Sequence, residues 1–154
     1  MMRPEDNLAV KESLRIDGQD DFIKIISPEG YLGGVGEAMN VLSSGGIISI
    51  MGDRKYGFEG VGATFLKDEA QLPFGAFSLA AASNLPVVVL LSAKLPGNKY
   101  IVDVSNILYP RYNNPKDKKE QLKKYVQEFA GILEEYTVQY PYQCFLFHDI
   151  WQKS

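Results

Sequence analysis

Residues 44–54 read Ser44-Gly45-Gly46-Ile47-Ile48-Ser49-Ile50-Met51-Gly52-Asp53-Arg54. Ile47 to Met51 is an apolar run bounded by glycine on both sides, with the length of a buried strand. Runs that are apolar on both faces suit a parallel sheet covered by helices. Upstream, Phe22 to Ile26 reads as a shorter strand. Ser27-Pro28-Glu29 follows with the grammar of a helix start, Ser as cap and Pro in the first turn. The helix is expected over Val35 to Leu42, ended by Gly45-Gly46. Downstream, Gly52 to Gly62 reads as a loop and Val61 to Leu66 as a third strand. Phe74 to Ser83 reads as an Ala-rich helix, and Pro86 to Ala93 and Lys99 to Val104 as strands. Asn114-Pro115 opens the longest helix, Lys116 to Thr137. Its apolar positions Leu122, Tyr125, Val126, Phe129, Ile132, Leu133 and Tyr136 recur every three or four residues. Tyr142 to Trp151 is an aromatic-rich ending. This alternation predicts an α/β domain with a mostly parallel sheet flanked by helices over residues 22–154. An irregular polar segment over 1–21 precedes it, and Met1-Met2-Arg3-Pro4 reads as a cloning boundary or a late start codon.

The 154 residues suit one domain with a real core. A net charge of -3 argues against a nucleic-acid binder, which needs clustered cations on one face. The one dense basic run, Lys116, Lys118, Lys119, Lys123 and Lys124, is interleaved with Asp117 and Glu120. It reads either as the solvated face of a helix or as a patch facing anionic lipid headgroups. The single cysteine, Cys144, has no partner in the chain, which excludes a disulfide framework and suits a reducing compartment. The first twenty residues lack the apolar core of a signal peptide. No run approaches the roughly 18 apolar residues of a membrane span.

The one histidine, His148, has Asp149 beside it. Sequence neighbours seldom present both groups to one point, so a Ser-His-Asp arrangement is not indicated and a structural or surface role is expected. One His and one Cys do not make an ordinary zinc site. Gly30-Tyr31-Leu32-Gly33-Gly34-Val35-Gly36 sits between a strand and a helix, as a dinucleotide loop does. Met39 stands where the third glycine belongs, so the segment reads as an entry to the helix. Asp53 and Arg54 follow an apolar run directly. They read equally as an ion pair that fixes the loop or as Arg54 holding an anionic group.

The blocks over Ile47 to Lys94 come in a telling order: Gly52-Asp53-Arg54, Phe65-Leu66, Leu72-Pro73-Phe74-Gly75, Leu79-Ala80 and Pro86-Val87-Val88. Tyr140-Pro141-Tyr142-Gln143 then leads to an ending on His148-Asp149-Ile150-Trp151. In this order and spacing the chain resembles the C-terminal half of the bacterial lipid A biosynthesis acyltransferases (lauroyl or myristoyl transferases). Those belong to the wider glycerolipid acyltransferase superfamily. The resemblance covers about Phe22 to Trp151. Lys67 departs from it, standing where that family tends to have Gly, and so does Ala76, where Pro is common.

The resemblance implies a partial glycerolipid-acyltransferase-like domain. Its activity would be transfer of a fatty acyl group from acyl carrier protein to a lipid or glycolipid hydroxyl, without a cofactor. It would work in the cytoplasm, peripherally at the inner-membrane surface. In that family a histidine followed four residues later by aspartate deprotonates the acceptor hydroxyl. His148 is followed four residues later by Gln152, so this chain supplies no catalytic residue, and the motif belongs before Phe22. The resemblance places Gly52, Asp53, Arg54, Pro73, Phe74 and Gly75 at the substrate groove, with Arg54 facing a phosphate or the developing oxyanion. Phe65 and Phe74 would face the acyl chain, with core packing an equal reading for each. Without a base, the chain alone is expected to be inactive. The alternative is a non-catalytic remnant that binds lipid or a partner.

Overall fold

A computed structural model describes residues 25–27, 34–54, 60–146 and 149–151. The chain forms two compact units, Met1–Met51 and Gly52–Ser154. In the first, helix α1 spans Val35–Ser43. It ends as the glycine pair predicts. Gly45 takes φ 82°, its N–H meets the Leu42 carbonyl, and the Gly46 N–H reaches back to Val41 at 2.9 Å. This paired closure satisfies carbonyls that the last turn would otherwise leave open. A Cβ at Gly46 would lie 2.7 Å from the Val41 side chain, so the second glycine is required by packing as well. The expected strand at Ile47 to Met51 does not form. Residues 46–51 carry neither helix nor strand, and Ile47 is 94% exposed. An apolar run becomes a strand only where a neighbouring strand accepts its hydrogen bonds. The helix start at Pro28-Glu29, the glycine segment Gly30 to Gly33, most of the Phe22–Ile26 strand and His148 lie outside the described residues.

The second unit runs β1 (Gly60–Phe65), β2 (Asp68–Pro73), α2 (Gly75–Ser83), β3 (Val87–Leu95), β4 (Lys99–Leu108) and α3 (Lys118–Gln139). The mostly parallel, acyltransferase-like sheet expected from the sequence is not what forms. β1 pairs with β2 and β3 with β4, each antiparallel, as two separate two-stranded sheets. The connections decide this. Only Leu66 and Lys67 lie between β1 and β2, and only Pro96, Gly97 and Asn98 between β3 and β4. A parallel pair needs a crossover of a dozen residues or more.

α3 organises the unit. Leu122 and Val126 are fully buried, and Phe129 and Ala130 join a core with Val61, Ala63 and Leu72 from the first hairpin. Phe77 from α2, with Val89 and Leu108 from the second hairpin, completes it. Burying each large aliphatic side chain contributes about 1.5–3 kcal/mol. α2 closes with Asn84 in the left-handed region, φ 59°, and Leu85 N–H bonded to the Ala80 carbonyl. Asn114 caps the turn that leads into α3, its Oδ1 accepting from Lys116 N–H at 3.0 Å.

The β3–β4 hairpin is one-sided. Val89, Ala93 and Leu108 point into the core, while Val88, Leu90, Val102 and Ile107 form an apolar outer face, with Leu90 64% and Val102 59% exposed. A bare apolar face with free edges invites pairing with another chain. The isolated chain should therefore self-associate as its concentration rises, and Val102→Lys should shift it towards monomer in sedimentation equilibrium. A wild-type chain that stays monomeric at high concentration would refute this.

The β1–β2 turn holds Leu66 at φ 51° and Lys67 at φ 69°. Two consecutive positive-φ residues suit Asn-Gly, and a side chain in this region costs roughly 1–2 kcal/mol. Lys67→Gly should raise the urea midpoint by about 1 kcal/mol of stability; a lowered midpoint would contradict the strained-turn reading.

Candidate functional site

The segment Gly52-Asp53-Arg54 is held to the unit by its glycine. A Cβ at Gly52 would sit 2.9 Å from Phe129 Cζ, closer than packed carbons approach, so only glycine lets the backbone lie against that ring. Beyond it, Arg54 Nε stands 3.9 Å from Asp53 Oδ2, both side chains about a third exposed at 38% and 33%. Of the two sequence readings, the ion pair is formed, but at the far limit of contact. Each side chain keeps access to solvent.

Phe74 stands just before α2 and packs against the core that contains Phe129. The Lys119 ammonium lies 5.9 Å from its ring centroid. Pro73 ends β2 opposite Gly60. Gly75 begins α2 with open space where a Cβ would go, so its glycine is not demanded by packing. Phe65 belongs elsewhere. It is fully buried with Ala70 and Ile150, and its ring stacks on Trp151 with centroids 6.1 Å apart. Of its two readings, core packing is the one realised. The predicted residues therefore divide. Gly52 and Phe74 border the Phe129 core, whereas Phe65 sits in the cluster closed by the chain's last aromatic residue.

α3 is pinned to the first hairpin by polar contacts as well as by its apolar stripe. Gln127 Oε1 accepts from Thr64 N–H at 2.8 Å, and Gln127 Nε2 donates to the Thr64 carbonyl at 3.0 Å. Glu134 accepts from Leu66 N–H at 2.6 Å. Ahead of Gln127, the same side of α3 and the turn before it bear Lys116, Lys119, Glu120 and Lys123. With Asp117 and the Gly60-Val61-Gly62 backbone they line an open cleft of about 390 Å³. Lys116, Lys119, Lys123 and Lys124 are exposed and Lys118 is half-buried, as on a solvated helix face, and three of the five lie over aromatic rings. Lys118 lies over Tyr112, Lys119 over Phe74 and Lys124 over Tyr125, at 5.7, 5.9 and 4.9 Å. Sequence reasoning missed the cleft because it depends on which edge of β1 faces the helix, and only strand pairing determines that.

Among the described residues two titrations are displaced, those of Asp103 and Tyr136. The Ser105 hydroxyl, then its N–H, hold the Asp103 carboxyl below the usual range. Burial, then Tyr140 and Asp103, push the Tyr136 phenol up. Among the described residues no group of three His, Cys, Asp or Glu could hold a metal ion.

Replacing Gln127 with Ala leaves the Thr64 N–H and C=O without their side-chain partner. The loss should be about 1–2 kcal/mol, read as a lower urea midpoint. Gln127→Glu should cost less, since it keeps the acceptor. Equal midpoints for wild type and Gln127→Ala would show that the amide contact carries nothing. No protein family, curated protein or solved structure matches the chain.

Proposed function

We propose that the chain is the C-terminal portion of a lipid A biosynthesis-type O-acyltransferase. The reaction is transfer of a fatty acyl group from acyl carrier protein to a lipid or glycolipid hydroxyl. The proposal rests on the residue blocks and their local geometry, because the two hairpins are not the sheet first expected. The observation that carries it is the Gly52-Asp53-Arg54 segment. Its glycine is required by the approach to Phe129, and its arginine is only loosely paired and reaches solvent. Such an arginine can turn to a phosphate or to the oxygen that gains charge as the thioester is attacked. A second support is Lys67. It stands where the resembled family tends to have Gly, and its backbone takes the conformation glycine prefers.

An acceptor alcohol is a weak nucleophile until a base takes its proton. In this reading the base is the histidine of a His-x-x-x-x-Asp motif in a preceding part of the polypeptide. No described helix is long and apolar enough to cross a membrane. Action from the cytoplasmic side, at the inner-membrane surface, is part of the same proposal. The bare apolar face of the β3–β4 hairpin favours a second reading, a non-catalytic remnant that holds acylated lipid or a protein partner.

The encoding frame, read upstream of Met1, should contain His-x-x-x-x-Asp within about two hundred codons, a typical domain length. The chain alone should show no acyl transfer from acyl carrier protein. The extended polypeptide should transfer, and Arg54→Ala within it should lower kcat by roughly a hundredfold or more. Transfer by the short chain, or an upstream frame without the motif, would count against the enzyme reading. Acyl carrier protein or liposome binding without any transfer would favour the remnant.

A further inference from the structure

α3 covers only part of the free edge of β1. Thr64 and Leu66 find Gln127 and Glu134 there. In an antiparallel ladder, alternate residues turn their N–H and C=O away from the partner strand. Thr64 is turned towards α3, so Gly62 and Gly60, two and four residues earlier, present their backbone groups at the same edge. Opposite them the helix offers no clamping amide. It offers Lys123 and Lys119, and the turn before it offers Lys116, around the 390 Å³ cleft. The glycines carry no side chain that could crowd the opening. On the β2 side, Glu69 and Gln71 lie across the strand: a Cβ at Gly62 would meet Glu69 Oε1 at 2.5 Å and one at Gly60 would meet Gln71 Cβ at 3.0 Å.

Backbone N–H groups beside ammonium groups match the geometry and charge of a tetrahedral oxyanion. We propose that this cleft binds a phosphate monoester group, held by the Gly60 and Gly62 edge and by Lys116 and Lys123. Lys119, anchored over the Phe74 ring, forms one wall. Three acids temper the site. Asp117 is engaged by Asn114 Nδ2 at 2.7 Å, and Glu69 lies across Gly62. Glu120 lines the cleft directly and is the charge that most limits affinity. The volume admits the phosphate together with part of the group that bears it. The proposal stands on the cleft alone and does not need the acyl-transfer reading.

Amide spectra of the full chain, titrated with inorganic phosphate, should show saturable shifts centred on Gly60 and Gly62. Co-sedimentation with phosphatidylcholine vesicles carrying or lacking phosphatidic acid tests the lipid form of the same group. A response to phosphate alone identifies a soluble ligand, and a response to phosphatidic acid alone identifies a headgroup. Lys116→Ala and Lys123→Ala should each weaken binding roughly fivefold, and Glu120→Gln should tighten it by a similar factor, the scale of one exposed charge contact. Opposite effects from substitutions in one cleft cannot come from a general folding defect. No saturation by about 10 mM phosphate, together with no phosphatidic acid dependence, would overturn the proposal. So would binding that these substitutions leave unchanged.

Discussion

The two-way contact between Gln127 and the backbone of Thr64 fixes α3 against β1, and most of the second unit depends on where α3 lies. A helix with one apolar stripe can slide along a hairpin at little cost, because dispersion and burial are non-directional. Two hydrogen bonds from one amide to one residue are directional and set a register. With Gln127 on Thr64, Val126 and Ala130 share one buried cluster with Val61 and Ala63, and Phe129 reaches Phe77 with ring centroids 6.0 Å apart. Gly52 then has a ring to lie against, so the placement of the Asp53–Arg54 pair follows from the same contact.

The same device recurs. Gln143 accepts from Lys94 N–H at 2.7 Å and donates to the Lys94 carbonyl at 2.9 Å, closing part of the free edge of β3. Gln121 accepts from Asn113 N–H and donates to the Asn114 carbonyl, holding the approach to α3. In each case a side-chain amide supplies the donor and acceptor that a neighbouring strand or turn would have supplied. Two-stranded sheets are marginal by themselves because every strand is an edge. Side-chain amides satisfy selected edge groups without extending the sheet. What they leave open is informative: the edge at Gly60 and Gly62, and the outer face of β3–β4.

Local signals were legible in the sequence wherever the physics is local. The three-and-four spacing from Leu122 to Tyr136 gave α3, Gly45-Gly46 gave the end of α1, and Asn114-Pro115 gave the approach to α3. Strand direction was not legible from apolar content. Val87 to Leu91 looks the same whether both faces are buried in a parallel sheet or one face of a hairpin is left bare. The signal that could have separated the two was Pro96-Gly97-Asn98, a turn too short for any crossover. β2 was missed because Asp68 and Glu69 are poor strand formers, and because Leu66-Lys67 lacks the glycine that marks a two-residue turn. For the candidate site, the charged pair after an apolar run could be read directly. The burial of Phe65 under Trp151 could not, since those residues are far apart in sequence and meet only after the hairpin forms.

Magnitudes separate the charges that hold the fold from those that do not. An ion pair at 3.9 Å with both partners reaching water contributes at most about 1 kcal/mol. Phe129 and Gly52 already anchor the segment, so Asp53 and Arg54 add little to its position. The guanidinium can therefore leave its carboxylate at small cost and meet another anion. Glu134 is the contrasting case, its carboxylate receiving a backbone N–H at 2.6 Å at the turn after β1, where moving it would uncap the hairpin. A charge that stabilises little and can move freely is the kind available for binding. By that criterion Arg54, with Lys116 and Lys123 of the Gly60–Gly62 cleft, is the candidate, and the carboxylate that caps the turn is not.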